Sequence, residues 1–282
     1  MARRTSGSRD LALLGERLED LRREWRSSRL DSDPLVFAHR FPDPADREVV
    51  AFLSASLAFG RVASIQASVE RVLAVLGPRP AEFLEKWDEG DLASLRAFRH
   101  RWVSGKDVED FLRMVKRARH AHGSLGALFA AGDAAAPDYV PALSSFHRNL
   151  LFSVFPHFPL PGAISRGLKF LLPSPAAGSA CKRSHLFLRW MIRAEGFDLG
   201  LWTGGRFTPA RLLLPMDVHV HRISRRIGLT RRKTADLAAS REATAWLRRL
   251  SPEDPVAYDW PLSRLGILSK PMNLPTATSA RA

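Results

Sequence analysis

The chain has a single cysteine, Cys181, in 282 residues. That excludes an internal disulfide framework and any four-cysteine zinc or iron–sulfur site. It also lacks a long apolar run: none reaches the roughly 20 residues needed to span a bilayer. Hydrophobic residues make up 45%, a globular value too low for an integral membrane protein. The opening Met1-Ala-Arg-Arg-Thr-Ser-Gly-Ser-Arg9 carries charge with no apolar core behind it, so no signal peptide is expected. Few stretches alternate in the period of a strand, and no internal repeat is visible. These absences point to an all-helical cytoplasmic protein.

Acid is the other scarce commodity. Lys and Arg total 43 against 29 Asp and Glu, a net charge of +14 and a pI near 11.1. A field of that sign draws polyanions, nucleic acid first. A genome rich in arginine codons would give a similar total. Clustering favours the first explanation, because Arg222, Arg225, Arg226, Arg231, Arg232 and Lys233 fall within twelve residues.

That cluster lies in and just after the most organised stretch of the chain, Leu212 to Leu229. Pro215 cannot sit inside a helix, and Asp217 is a good N-cap because its carboxylate accepts free backbone N–H groups. Val220, Ile223 and Ile227 follow at i, i+3 and i+7 as one apolar stripe. Arg222, Arg225 and Arg226 fall mostly on the other side, and Gly228 can close the helix in a left-handed conformation. Alone, this reads first as an ordinary capped amphipathic helix with a solvated basic face.

In chain order, residues 1–10 are expected to be a disordered basic tail. Residues 11–29 carry leucines at helical spacing, and the Asp31-Ser-Asp-Pro34 run breaks that helix. A nearly all-apolar, hence buried, helix follows from Asp46, ending at Ala58-Phe59-Gly60-Arg61. Helices are expected over 65–76, three times within 81–132, and over 139–152, 164–172, 234–250 and 262–268. The basic-aromatic Phe98-Arg99-His100-Arg101-Trp102 suits a lobe interface better than a phosphate contact. Residues 273–282 are expected to be a second disordered tail.

A Pro/Gly-rich turn, Leu172-Pro-Ser-Pro-Ala-Ala-Gly178-Ser179, leads to a helix whose apolar residues are Leu186, Phe187, Trp190 and Met191. Lys182 lies one turn before Leu186 and two before Trp190, on the inward-leaning side. It also lies at the positive end of the helix dipole, where a cation is disfavoured. A nucleophilic amine needs that destabilisation, since it must lose its proton to attack. A lysine that snorkels to solvent or contacts a phosphate is the plainer alternative.

Two motifs carry a resemblance. Pro215-Met-Asp217-Val-His219-Val-His-Arg222 with Arg226-Ile-Gly-Leu229 resembles the signature of the helix-hairpin-helix DNA glycosylases. Leu172-Pro with Gly178 and Lys182 resembles their hairpin and nucleophilic-lysine helix, although this hairpin is longer and has one glycine. The gap of 35 residues (217 − 182) and the missing iron–sulfur cysteines resemble the archaeal 8-oxoguanine glycosylase branch. Over nearly its whole length the chain is also similar to a sporadic bacterial family of unknown function. The shared runs are Gly-Ser-Ala-Cys-Lys-Arg, Leu-Arg-Trp-Met, Asp-Leu-Gly-Leu-Trp and Pro-x-Asp-x-His.

The resemblance implies an all-α, two-lobed fold over residues 11–272 with a helix-hairpin-helix DNA-binding motif. It implies a bifunctional glycosylase and abasic-site lyase of base-excision repair, with Lys182 and Asp217 catalytic and 8-oxoguanine the first candidate lesion. Gly178, Ser179, Arg183, Arg222, Arg225 and Arg226 would contact DNA. Ser56, Leu57, Phe59 and Trp202 are candidates for the base pocket or for the wedge that fills the gap of an extruded base; a packed core role is the plainer reading of each. No cofactor, metal, membrane or protein partner is implied, and a nucleoid-associated monomer on double-stranded DNA is expected. Three rivals remain. Asp217, His219 and His221 would form a metal site of a hydrolase if the segment were a strand. Cys181, His185 and Asp217 would make a thiol triad. A DNA-structure-binding protein would keep the hairpin without the chemistry.

Overall fold

A computed structural model of the chain describes residues 2–24, 33–88, 90–157, 162 and 164–268, with side chains from residue 12 onward. It is mostly helical, and a two-stranded hairpin is its one sheet among the described residues. The helices are α1 (Ala2–Glu24), α2 (Pro44–Ser56), α3 (Val62–Leu76), α4 (Pro80–Lys86), α5 (Gly105–His122) and α6 (Leu125–Ala131), followed by α7 (Val140–Val154), α8 (Arg166–Leu171), α9 (Lys182–Ile192), α10 (Val218–Arg226), α11 (Leu237–Leu250) and α12 (Asp259–Leu268). Helix α1 begins at Ala2, which corrects the expected tail over 1–10. No proline interrupts that stretch, so the helix continues upstream of Leu11. The expected tail over 273–282 lies outside the described residues.

The chain divides into two units, neither continuous in sequence. The first draws on Met1–Arg29, Ala177–Arg189 and Phe207–Ala282, the second on Leu30–Ala176 and Trp190–Arg206. One boundary falls inside α9 and another inside the 3₁₀ turn Pro175–Ala177, so no shift in composition marks them.

The first unit is built on one apolar cluster. Leu14, Leu18 and Leu21 of α1 meet Val220 and Ile223 of α10 and its C-cap Ile227, with Trp246, Leu247 and Leu262 from the last two helices. The stripe at i, i+3 and i+7 on α10 is therefore the buried face. Helices α10 and α12 approach closely at Gly266, where a Cβ would stand 2.5 Å from the His219 carbonyl oxygen. Helix α11 starts at Asp236, whose side chain accepts from Ala239 N.

The second unit has an aromatic core. Phe52 stacks on Phe111 with centroids 4.8 Å apart, and Phe146 meets both Phe52 and Phe129 edge-on at 5.7 Å. Helix α2 starts with Asp43 as N-cap and Pro44 in its first turn, the arrangement those residue types favour. Helix α5 starts with a reciprocal capping box between Ser104 and Asp107.

Glu48 of α2 is buried at 5% exposure. It accepts from the backbone N–H groups of Leu125 and Gly126 at 2.9 Å each, and from the Trp202 indole N–H at 2.8 Å. A single carboxylate thus closes the start of α6 and anchors the segment around Trp202 within this unit.

The hairpin lies in the same unit. Strands β1 (Arg99–His100) and β2 (Val103–Ser104) pair antiparallel, Arg99 opposite Ser104 and His100 opposite Val103, around a two-residue turn. Strands of two residues are too short to show alternation in a sequence.

Candidate functional site

Lys182 is the first residue of α9, and Asp217 immediately precedes α10. Asp217 caps that helix as expected: its Oδ1 accepts from His219 N at 2.9 Å and from Val220 N at 2.8 Å. Two amide donors fix the orientation of the carboxylate and leave Oδ2 directed elsewhere. It faces Lys182, with Nζ 3.8 Å from Oδ2, and the two side chains are 30% and 28% exposed. Both belong to the first unit. A half-buried amine beside an oriented carboxylate can pass its proton a short distance and still meet a reactant from solvent.

A second charged pair lies close by in this unit. Asp259, at the start of α12, is 4% exposed and ion-pairs with the Arg189 guanidinium. Burial pushes its carboxyl up, while the charges of Arg189 and then Lys182 draw it down and Asp217 raises it further. Sequence reasoning missed this pair. An acid just after a Pro-Glu-Asp-Pro turn gives no periodic signal, and its partner is 70 residues away.

The Pro/Gly-rich segment ahead of α9 contains a 3₁₀ turn at Pro175–Ala177, then Gly178 with φ +78°. No side chain crowds Gly178, so its glycine serves the left-handed backbone and not a close approach. Ser179 pairs with Asp236 in an isolated antiparallel bridge, and its Oγ accepts from Cys181 N at 3.2 Å. Both Gly178 and Ser179 keep some surface. Arg225 and Arg226 are exposed on the last turn of α10, whereas the exposed Arg222 donates to the Gly266 carbonyl of α12.

Residues 33–268 match the family described as Protein of unknown function (DUF2400). The chain belongs to that family. No curated protein and no solved structure matches it. The DUF2400 match spans Lys182, Asp217, Arg189 and Asp259 alike, so the whole charged cluster falls within the family's own length.

Other expected site residues in this DUF2400 chain are placed differently. Arg183 is 8% exposed, and burial lowers its guanidinium to about 10; it does not offer a surface contact to a phosphate. It lies four residues before Phe187 and seven before Trp190, so it shares their buried stripe. Leu57 and Ser56 are 1% and 4% exposed and belong to the core of the second unit. Trp202, at 5%, uses its N–H on Glu48 and packs against Gly126, so it is a core residue and not a base platform. Phe59 is half-buried among His100, Trp102 and Phe170.

The rival chemistries lack geometry. His221 Nε2 is bonded to the Arg232 carbonyl at 3.0 Å. Among the described residues no three His, Cys, Asp or Glu side chains converge as metal ligands. Cys181 is 2% exposed, and burial pushes its thiol up to about 11 against the opposing Ser179 hydrogen bond and Arg183 charge. A thiol held protonated is a poor nucleophile. Thiol-reactive reagents at pH 8 are therefore expected to label the native chain at least about 100-fold more slowly than the unfolded chain. Equal rates, measured by disulfide-exchange absorbance, would restore the thiol reading. No helix among the described residues is long and apolar enough to cross a membrane.

Proposed function

We propose that this chain excises a damaged base from double-stranded DNA and then cleaves the strand at the abasic site, using Lys182 as nucleophile. The observation that carries the reading is the 3.8 Å approach of Lys182 Nζ to Asp217 Oδ2, with both groups partly open to solvent. The motifs around both residues resemble the lysine helix and aspartate helix of the helix-hairpin-helix glycosylases, and the net charge of +14 suits a polyanionic substrate.

In this mechanism Asp217 Oδ2 accepts the proton of the Lys182 ammonium. The free amine attacks the anomeric carbon of the sugar as the bond to the base breaks; the base leaves with that electron pair and takes the proton held by Asp217, which restores the carboxylate. The carboxylate offsets the positive charge that develops on the sugar. Ring opening gives a Schiff base between Lys182 and the sugar; loss of a proton from the adjacent sugar carbon then expels the 3′ phosphate. The base must first leave the stack to be reached. Backbone N–H groups near Gly178 and Ser179, with Arg225 and Arg226, are the groups proposed to hold phosphates.

The test is strand cleavage of an end-labelled duplex carrying 8-oxoguanine, read on a denaturing gel. Lys182→Gln is expected to abolish cleavage, and Asp217→Asn to slow it by at least about 100-fold. A chelator is expected to leave the rate unchanged. Wild-type rates in both variants would reject the reading. No cleavage by the wild-type chain, with tight and salt-sensitive binding retained, would favour a non-catalytic DNA-structure-binding protein.

A further inference from the structure

The geometry points to a second nucleic-acid contact, in the second unit: the hairpin tip Arg101-Trp102 is a stacking platform for an unpaired base. Every residue of the platform lies in that unit, and the inference does not depend on whether Lys182 is a nucleophile.

Trp102 is 40% exposed, one of the few large apolar side chains left in solvent. It is nonetheless held rigidly. Its indole stacks on Phe59 at 5.9 Å between centroids, with planes 28° apart, and Phe170 meets it edge-on at 4.7 Å. Phe59 is itself braced by His100 at 4.3 Å. The His100 ring is fixed from both nitrogens, Nδ1 on Ser68 Oγ at 2.8 Å and Nε2 on the Phe59 carbonyl at 2.9 Å. An exposed indole on a braced aromatic base is preorganised, so a ligand meeting it loses little side-chain freedom.

Its surroundings select the ligand. The guanidinium of Arg101 lies 4.9 Å from the indole centroid and that of Arg166 lies 5.9 Å away. Arg61 is exposed beside Gly60, against which Arg101 packs. Among the described residues none of Arg61, Arg101 and Arg166 pairs with a carboxylate. An indole and planar guanidinium groups are stacking surfaces for a base, and the same cations attract its phosphates. An acidic peptide would satisfy the charges but not use the indole face as fully.

The backbone adds an independent observation. Arg101 has φ +55° at the first position of a two-residue hairpin turn, the place where glycine is normally favoured. A bulky side chain there is held against its conformational preference. The fold keeps a guanidinium at the tip where glycine would be easier.

The experiment uses the full chain in a Lys182→Gln background, so that binding is read with the proposed chemistry silent. Fluorescence anisotropy would compare a labelled single strand with a fully paired duplex of equal length. Trp102→Ala is expected to weaken single-strand binding about ten-fold and to change duplex binding less than about two-fold. Trp102→Phe, which keeps an aromatic face, is expected to restore most of the loss. Arg101→Gly suits the turn and is expected to lower the salt slope of binding by about one. Single-strand affinity unchanged by Trp102→Ala would overturn the inference. So would an equal loss on both ligands, or a change confined to self-association in sedimentation, which would mark the tip as a protein interface.

Discussion

Glu48→Ala is expected to be among the most destabilising single substitutions in the second unit, costing about 3–5 kcal/mol. It removes the shared acceptor of Leu125 N, Gly126 N and Trp202 Nε1. Each orphaned buried donor costs about 1–3 kcal/mol. Arg119, 3.9 Å from Glu48, would lose that buried carboxylate and keep the exposed Glu85 at 3.0 Å. Glu48→Gln keeps the shape and one carbonyl oxygen but loses the charge and an acceptor, so an intermediate loss is expected. Thermal unfolding would report the alanine change as a fall of about 10 °C. A fall within about 2 °C would mean that these three bonds do not organise the unit. Two units need not unfold as one, so the transition followed should be that of the second unit.

Asp259→Ala is expected to cost a similar amount, about 3–5 kcal/mol, because it removes the carboxylate that ion-pairs with the buried Arg189 charge. Both side chains are buried, at 7% and 6% exposure. The pair as a whole is a different matter. Burial outweighs Arg189 in setting the Asp259 carboxyl, which is raised and not lowered, so desolvation is the dominant cost. The double substitution Arg189→Met with Asp259→Leu is therefore expected to recover most of the single loss, or all of it. Urea unfolding of the four species would give the coupling energy, expected above about 2 kcal/mol. Additive losses would contradict a direct buried pair. Asp259 also acts on the charges of Lys182 and Asp217, so the double variant separates stability from activity: a stable protein with slowed chemistry would make Arg189 and Asp259 positioning residues.

Local features were the legible ones. The start of α10 follows from Pro215 and Asp217, and its buried face from Val220, Ile223 and Ile227, all within one short window. Lys182 and Asp217 could be chosen from motif and helix position; the fold then brings them within one ion-pair distance across 35 residues (217 − 182). Features set by distant partners were not legible. For Trp202 the packed core role was the plainer reading and holds, but the partner that fixes it, Glu48, lies 154 positions away and leaves no local signal. Leu57, a wedge candidate whose plainer reading was a packed core residue, is core. Arg183 was read by its charge, when its spacing to Phe187 and Trp190 already assigned it to the buried stripe. The hairpin escaped because two-residue strands carry no period, and its exposed Trp102 was read as interface filling. Family membership adds no chemistry here, since the family's own description states none.

The central claim is that Lys182 forms a covalent bond to the sugar of damaged DNA. The most direct measurement is borohydride trapping on a duplex containing 8-oxoguanine, with an abasic-site duplex in parallel and Lys182→Gln as control. The expected result is a reduced covalent protein–DNA adduct on both duplexes, absent from the variant, with the attached residue mapped to Lys182 by peptide mass. No adduct on either duplex, or one that persists in Lys182→Gln, would contradict the account.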